Sequence, residues 1–203
     1  AQFLGRRDRR AVAVLLEEQD AVEDVGVAGL LLLDRLFDDL GREAEDLARA
    51  GIVTLIYDKR AGYSRTAHDF DELAADALAG VRMLRNRRGV QADLVGVWGH
   101  SQGGWVAPFA AAQSSAVAFV VTIAASGYTP DRTQLWSNRT YLMQAGVRDS
   151  LVGPLGLNAS RMLMAAGLYG DIEHDSAGTW ARVRQPVLAV FGEHDRSMPT
   201  GES

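Results

Sequence analysis

The chain has 203 residues, with 21 Lys and Arg against 26 Asp and Glu, a formal charge of −5, and 47% hydrophobic residues. That apolar share supports a folded core and excludes a disordered chain, while the acidic balance argues against nucleic acid as a partner. The absence of cysteine excludes disulfides, zinc–thiolate and iron–sulfur sites, and a cysteine nucleophile. No apolar run is long enough for a membrane span: the best, Val27–Leu33 and Val117–Ile123, have the length of strands.

The chain opens Ala1-Gln2-Phe3, without an initiator Met and without a charged-then-apolar leader, so a cytoplasmic location is expected, with either a leader removed or a start partway into a longer product. The cluster Arg6-Arg7-Asp8-Arg9-Arg10 is short and interrupted by Asp8, and reads as a solvated turn. Ala11–Leu16 and Val27–Leu33 read as strands. Leu36, Phe37, Leu40, Ala44 and Leu47 recur at helical spacing, which predicts a helix over Leu36–Ala50 that Gly51 stops. Ile52–Tyr57 is apolar and β-branched, the pattern of a buried strand. Asp69 with Glu72 resembles a capping box, and Phe70, Leu73, Ala77, Val81 and Leu84 then share one face of a helix over Asp69–Arg87.

Leu94–Trp98 is the next strand, followed by an Ala-rich helix over Gln102–Gln113 whose first turns Pro108 should bend. Val117–Ile123 is a strand. Tyr128–Arg182 shows no clear strand and predicts two to four helices, and Pro186–Phe191 returns to buried-strand character. Strands alternating with helices predict an α/β fold, a mostly parallel sheet flanked by helices and carrying one helical insertion. The expected division is a core of residues 1–127 and 183–203 and an insertion of residues 128–182.

The sharpest motif is Gly99-His100-Ser101-Gln102-Gly103, a Gly-x-Ser-x-Gly pattern between a strand and a helix. Alone the pattern is weak; the strand–turn–helix setting makes it a nucleophile elbow. The turn forces Ser101 into a strained backbone conformation that lifts its hydroxyl clear of the sheet. Side chains two residues to either side would collide, hence Gly99 and Gly103. The Gln102 N–H, at the N-terminus of the following helix, is a natural oxyanion donor. A serine nucleophile needs a base, and the base an orienting acid. Asp195, in the turn Gly192-Glu193-His194-Asp195 just past a strand's carboxyl end, fits the acid, with Glu193 a weaker rival. The base is not evident. The four histidines are His68, His100, His174 and His194, and all precede Asp195; His174 would serve only in an unusual chain order.

These segments together resemble the α/β-hydrolase superfamily, most closely bacterial serine hydrolases of the dienelactone-hydrolase or prolyl-oligopeptidase-like branch. The likeness is carried by Leu30–Leu33 with the helix after it, by Tyr57-Asp58-Lys59-Arg60 with Gly62-Tyr63-Ser64, by Gly99-His100-Ser101-Gln102-Gly103-Gly104-Trp105, and by Pro186-Val187-Leu188 through Gly192-Glu193-His194-Asp195-Arg196 with Pro199. The resemblance implies Ser101 as nucleophile, Asp195 as triad acid, the Gln102 amide as oxyanion donor, and the insertion as a cap over the site. Three features depart from the family. The His-Gly-rich oxyanion loop after Leu33 is missing, the Asp58–Ser64 loop is a residue short, and no His follows Asp195. We therefore expect segments of the parent protein to be absent between Leu33 and Asp34, near Ala61 and after Ser203.

The expected function is a carboxylesterase-like serine hydrolase that cleaves a small-molecule ester through an acyl-enzyme on Ser101, with no metal and no cofactor. Trp136, Tyr141, Leu142, Met143, Met162 and Met164 suggest an apolar acyl or aromatic group in the substrate, although such residues also serve simply to pack a cap onto a core. The alternatives are a peptidase or amidase on the same machinery, or a catalytically incomplete hydrolase fold used for binding. Asn138-Arg139-Thr140 and Asn158-Ala159-Ser160 match the glycosylation pattern but carry little weight.

Overall fold

The computed structural model describes residues 10–16, 44, 46–57, 70–166, 174–193, 195, 197 and 198. Five strands form one parallel sheet: β1 (Arg10–Leu16), β2 (Ile52–Ile56), β3 (Gly96–His100), β4 (Val120–Ile123) and β5 (Val187–Val190), in the order β2-β1-β3-β4-β5. The register is set by Ala11 opposite Val53, Leu15 opposite Trp98, Gly99 opposite Thr122, and Ile123 opposite Val190. Parallel neighbours need a crossover between them. Two helices, α1 (Phe70–Arg85) and α2 (Gly103–Gln113), provide the crossovers from β2 to β3 and from β3 to β4.

The predicted face of α1 is the buried one: Phe70, Leu73, Ala77, Val81 and Leu84 all face inward, joined by Ala74 and Gly80. The helix ends two residues earlier than the pattern suggests, in turns that run to Gly89 at φ 86°. Val81 and Leu84 meet Ala107 and Ala111 of α2 and Val97, Trp98 and Val120 of the sheet in one apolar cluster. A second cluster joins Phe70, Leu73, Ala74 and Ala77 to Trp105, Val106 and Ala110 of α2 and to Met198. These two clusters fix α2, and with it the turn that precedes α2. Pro108 is buried inside α2, which continues through it to Gln113.

Between β4 and β5 the described chain is helical. Pro130 opens α3 (Pro130–Gln144), where a missing N–H costs nothing. A helical turn at Asp149–Leu151 leads into a widened, π-type stretch at Val152–Leu157 and then α4 (Asn158–Ala165). Pro154 within that stretch removes one i−4 donor, the kind of change that widens a helix. α3, the π-type stretch and α4 pack on one another. Asn138, the acceptor of one glycosylation triplet, donates from Nδ2 to Ser160 Oγ at 2.7 Å within that packing. α5 (Ser176–Arg182) is capped by the Asp175 carboxylate, which accepts the Gly178 N–H at 2.9 Å, and lies against α2.

Several sequence expectations need correction. β3 begins at Gly96 rather than Leu94, because Ala92–Leu94 forms a 3₁₀ turn closed by Leu94 N–H to Gln91 O. β4 begins at Val120 rather than Val117, which is held in a turn by its N–H to Ser114 O. β5 is not buried: Leu188 is 58% exposed and Val187, Val190 and Phe191 are exposed as well. β2 is half-buried rather than buried. Both are edge strands of the described sheet, each paired on one side only. Of the predicted helix over Leu36–Ala50, residues 44 and 46–49 are helical, and after Ala50 Gly51 stands at φ 82°, the left-handed conformation that ends helices. The expected strand Val27–Leu33, the Leu33–Asp34 junction, Ala61 and the end at Ser203 lie outside the described residues.

Candidate active site

The turn between β3 and α2 consists of Ser101 and Gln102 alone. Ser101 has φ 53°, a left-handed conformation that costs a non-glycine residue about 1–2 kcal/mol. The turn is held by the sheet on one side and the helix on the other. Ser101 N–H donates to Ile123 O at 3.2 Å, which extends the β3–β4 ladder into the turn, and Ser101 O accepts the Gly104 N–H at 2.8 Å. Gln102 stands at the N-cap of α2, with its carbonyl accepting from Trp105 N–H at 3.0 Å. Among the described residues the Ser101 hydroxyl makes no hydrogen bond.

Close approach, not only turn geometry, dictates the glycines. A Cβ on Gly99 would lie 2.0 Å from Gly103 O and 2.3 Å from Gly103 C, inside the backbone of the opposite arm of the elbow. Gly103 is buried. Gly104, which the Gly-x-Ser-x-Gly pattern does not include, is equally tight: its Cβ would lie 2.3 Å from Ala125 Cβ. Ala125 follows Ala124, which with Ser101 is one of the two non-glycine residues at positive φ among the described residues, at 49°. The segment leaving β4 is thus pressed onto the first turn of α2. The Gly103-Gly104 pair was the available signal, since one glycine suffices for the motif.

Asp195 lies past the end of β5, in a turn closed by its own N–H to Gly192 O at 3.1 Å. Its Oδ1 accepts two backbone N–H groups, from Ser197 at 2.8 Å and Met198 at 3.0 Å. Ser101 and Asp195 therefore both stand beyond the carboxyl ends of parallel strands, β3 and β5, with β4 between them. At the usual strand spacing that separates their strands by roughly 10 Å. The ladder is continuous across the gap: Ser101 N–H to Ile123 O, then Ala124 N–H to Val190 O at 3.0 Å. Sites in open α/β sheets form at this end.

The family model for the BAAT / acyl-CoA thioester hydrolase C-terminal domain matches residues 79–203, which contain β3, the turn at Ser101, α2 to α5 and Asp195. The chain belongs to this family. The BAAT/thioester-hydrolase match runs over more than half of the sequence and places the chain in the hydrolase class. Solved structures share the fold at low identity. The structure of DcsB in complex with its substrate analogue is 19% identical with a TM-score of 0.60, over 96% of this chain and 75% of that one. The α/β-hydrolase GrgF from Penicillium sp. sh18 is 20% identical with a TM-score of 0.52, over 95% and 75%. The hypothetical protein PA2218 from Pseudomonas aeruginosa is 18% identical with a TM-score of 0.54, over 97% and 72%. They establish an α/β-hydrolase fold with an open parallel sheet. No curated protein sequence matches the chain significantly.

Within this BAAT/thioester-hydrolase domain, His174 is a core residue. It is buried, its Nε2 lies 3.1 Å from Thr179 Oγ1, and its ring meets those of Phe70 and Phe109 edge-on at 4.5 and 4.9 Å. That environment packs the ring between α1, α2 and α5. His100 is half-buried at the end of β3; His68, His194, Lys59 and Arg60 lie outside the described residues. Of the apolar residues assigned to the substrate, Met162 is 74% exposed, and Leu142 packs against Gly156, where a Cβ would lie 2.0 Å from it. Tyr128 stands between β4 and α3. Its carbonyl accepts from Trp105 Nε1–H and from the Ser176 hydroxyl, both at 2.9 Å, and Arg132 stacks on its ring at 3.7 Å. The starts of α3 and α5 are thereby tied to α2. No group of three or more His, Asp or Glu among the described residues is placed to hold a metal ion, and no described helix is long and apolar enough to cross a membrane.

Proposed function

We propose that this protein is a serine hydrolase that cleaves a carboxylic ester or acyl thioester through an acyl-enzyme on Ser101. The observation that carries the reading is Ser101 at φ 53° in a two-residue turn between β3 and α2. The turn is kept tight by the close approaches at Gly99 and Gly104, and a left-handed serine between a strand and a helix is the arrangement of a nucleophile elbow. Membership in the BAAT/thioester-hydrolase family supports an acyl substrate.

In this mechanism Ser101 Oγ attacks the acyl carbon while a histidine base takes its proton. The charge that develops on the carbonyl oxygen is met by the Gln102 N–H and the N-terminal dipole of α2. The tetrahedral intermediate collapses with protonation and loss of the alcohol or thiol, and water then releases the acid by the same steps. Asp195 orients the base. Its Oδ1 is occupied by two backbone amides, which fixes the carboxylate plane, and among the described residues Oδ2 carries no hydrogen bond. The insertion acts as a cap over this end of the sheet.

The test is turnover of p-nitrophenyl esters and acyl-CoA thioesters against matched p-nitroanilides, with wild-type protein and Ser101→Ala. The expected result is ester and thioester cleavage that falls by about 10³-fold or more in the variant. Faster cleavage of the anilide would establish the peptidase reading instead. Equal rates in wild type and variant would remove Ser101 from the reaction, and no turnover of any substrate would favour a fold used for binding.

A further inference from the structure

We infer that Tyr141 is a positioning residue: from cap helix α3 it holds the Asp195 loop in place through Ser197. The inference rests on the reading of Asp195 as the acid that orients the base. The aim of the Asp195 carboxylate depends on the backbone at 197 and 198, because both amides that bind Oδ1 come from those residues. That short segment has two anchors. From the core side, Met198 is 3% exposed and sits in the cluster formed by Phe70 and Leu73 of α1 and by Trp105, Val106 and Ala110 of α2. The acid loop is therefore seated on the same helix that carries the elbow.

From the cap side, Tyr141 Oη lies 2.9 Å from Ser197 Oγ, a contact between residues 56 positions apart. Tyr141 is 48% exposed, so burial of its ring does not account for its placement. The hydroxyl is what it brings to the loop. Ser197 thus presents its N–H to the Asp195 carboxylate and its side chain to α3. Met198 fixes the depth of the loop on the core, and Tyr141 fixes its lateral position against the cap. A displacement of α3 is transmitted to Oδ1 through a single residue. An exposed hydroxyl pair contributes little to global stability, so its removal should disturb the aim of the acid without unfolding the chain.

The experiment uses the full-length protein and p-nitrophenyl acetate, whose small acyl group needs little contact with the cap. Tyr141→Phe and Ser197→Ala are each expected to lower kcat about fivefold with KM within about twofold, as for a sub-ångström drift of an orienting group. Ser197→Thr, which keeps the hydroxyl, should restore most of the loss. The double variant should be no worse than either single one, and Tyr141→Phe should have no further effect on Asp195→Asn, since groups acting through one path are not additive. Three results overturn the inference: a wild-type kcat in Tyr141→Phe, a change confined to KM, or an additive loss in the Asp195→Asn background. The underlying reading is tested separately in the same series. Asp195→Asn is expected to lose about 10³–10⁴-fold, and if it stays at wild-type rate, Asp195 is not the acid and the inference falls with it. If Asp195→Asn collapses while Tyr141→Phe does not change, only the inference fails.

Discussion

Gly99→Ala adds one methyl group where the elbow has no room for it. The new Cβ would lie 2.0 Å from Gly103 O, and ordinary contact begins near 3.4 Å, so the first turn of α2 must move away from β3 by about 1.4 Å. The obstacle is backbone rather than a side-chain tip, and α2 is itself held by two apolar clusters and by the Trp105 bond to Tyr128 O. The strain cannot be relieved locally. Overpacking of this kind costs about 1–3 kcal/mol, which for a chain of this length lowers Tm by roughly 5 °C. A displacement above 1 Å at the nucleophile costs about 10²-fold in rate. Thermal unfolding by circular dichroism and p-nitrophenyl ester turnover measure the two effects on one sample. Gly127→Ala is the control: Gly127 has nothing within 4 Å of its would-be Cβ and should change neither readout. A Gly99→Ala protein with wild-type Tm and turnover would refute the reasoning, since the elbow would then tolerate a side chain that this geometry excludes.

Three further substitutions probe the surroundings. Met198→Ala removes a buried side chain from the cluster beneath the acid loop and should cost about 2–4 kcal/mol in urea unfolding; a cost under about 0.5 kcal/mol would mean the loop is not seated there. His174→Ala removes the ring held by Phe70, Phe109 and Thr179 and should destabilise by about 2–4 kcal/mol. Ser101 of the folded fraction should still react with a fluorophosphonate at the wild-type rate, and a lost reaction at unchanged stability would make His174 part of the chemistry after all. Thr122→Val replaces a buried hydroxyl that has no hydrogen-bond partner among the described residues, and should raise stability by about 1 kcal/mol; a lower urea midpoint would show that the hydroxyl is satisfied.

The parts of this fold that could be read from the sequence are those whose causes are local. The buried face of α1 follows from the spacing of Phe70, Leu73, Ala77, Val81 and Leu84, and the elbow follows from consecutive residues flanked by an apolar strand and an Ala-rich helix. What could not be read depends on residues distant in the chain. The run beginning at Leu94 is apolar throughout, and nothing in it announces that the backbone first closes a turn onto Gln91. β5 has the composition of a central strand, and only the order of the sheet makes it an edge of the described part. His174 sits in a polar stretch, and its burial is set by two phenylalanines on α1 and α2. Gly104 looked redundant beside Gly103 until the segment after β4 brought Ala125 against it. The Tyr141–Ser197 contact joins two exposed or half-exposed polar residues, a pairing with no sequence signature.

The central claim is that Ser101 is the nucleophile. Treating the full-length protein with a fluorophosphonate and locating the adduct by peptide mass spectrometry tests it most directly. The account predicts one adduct per chain, on the peptide containing Ser101, and none in Ser101→Ala. An unmodified protein, or an adduct on any other residue, would contradict it.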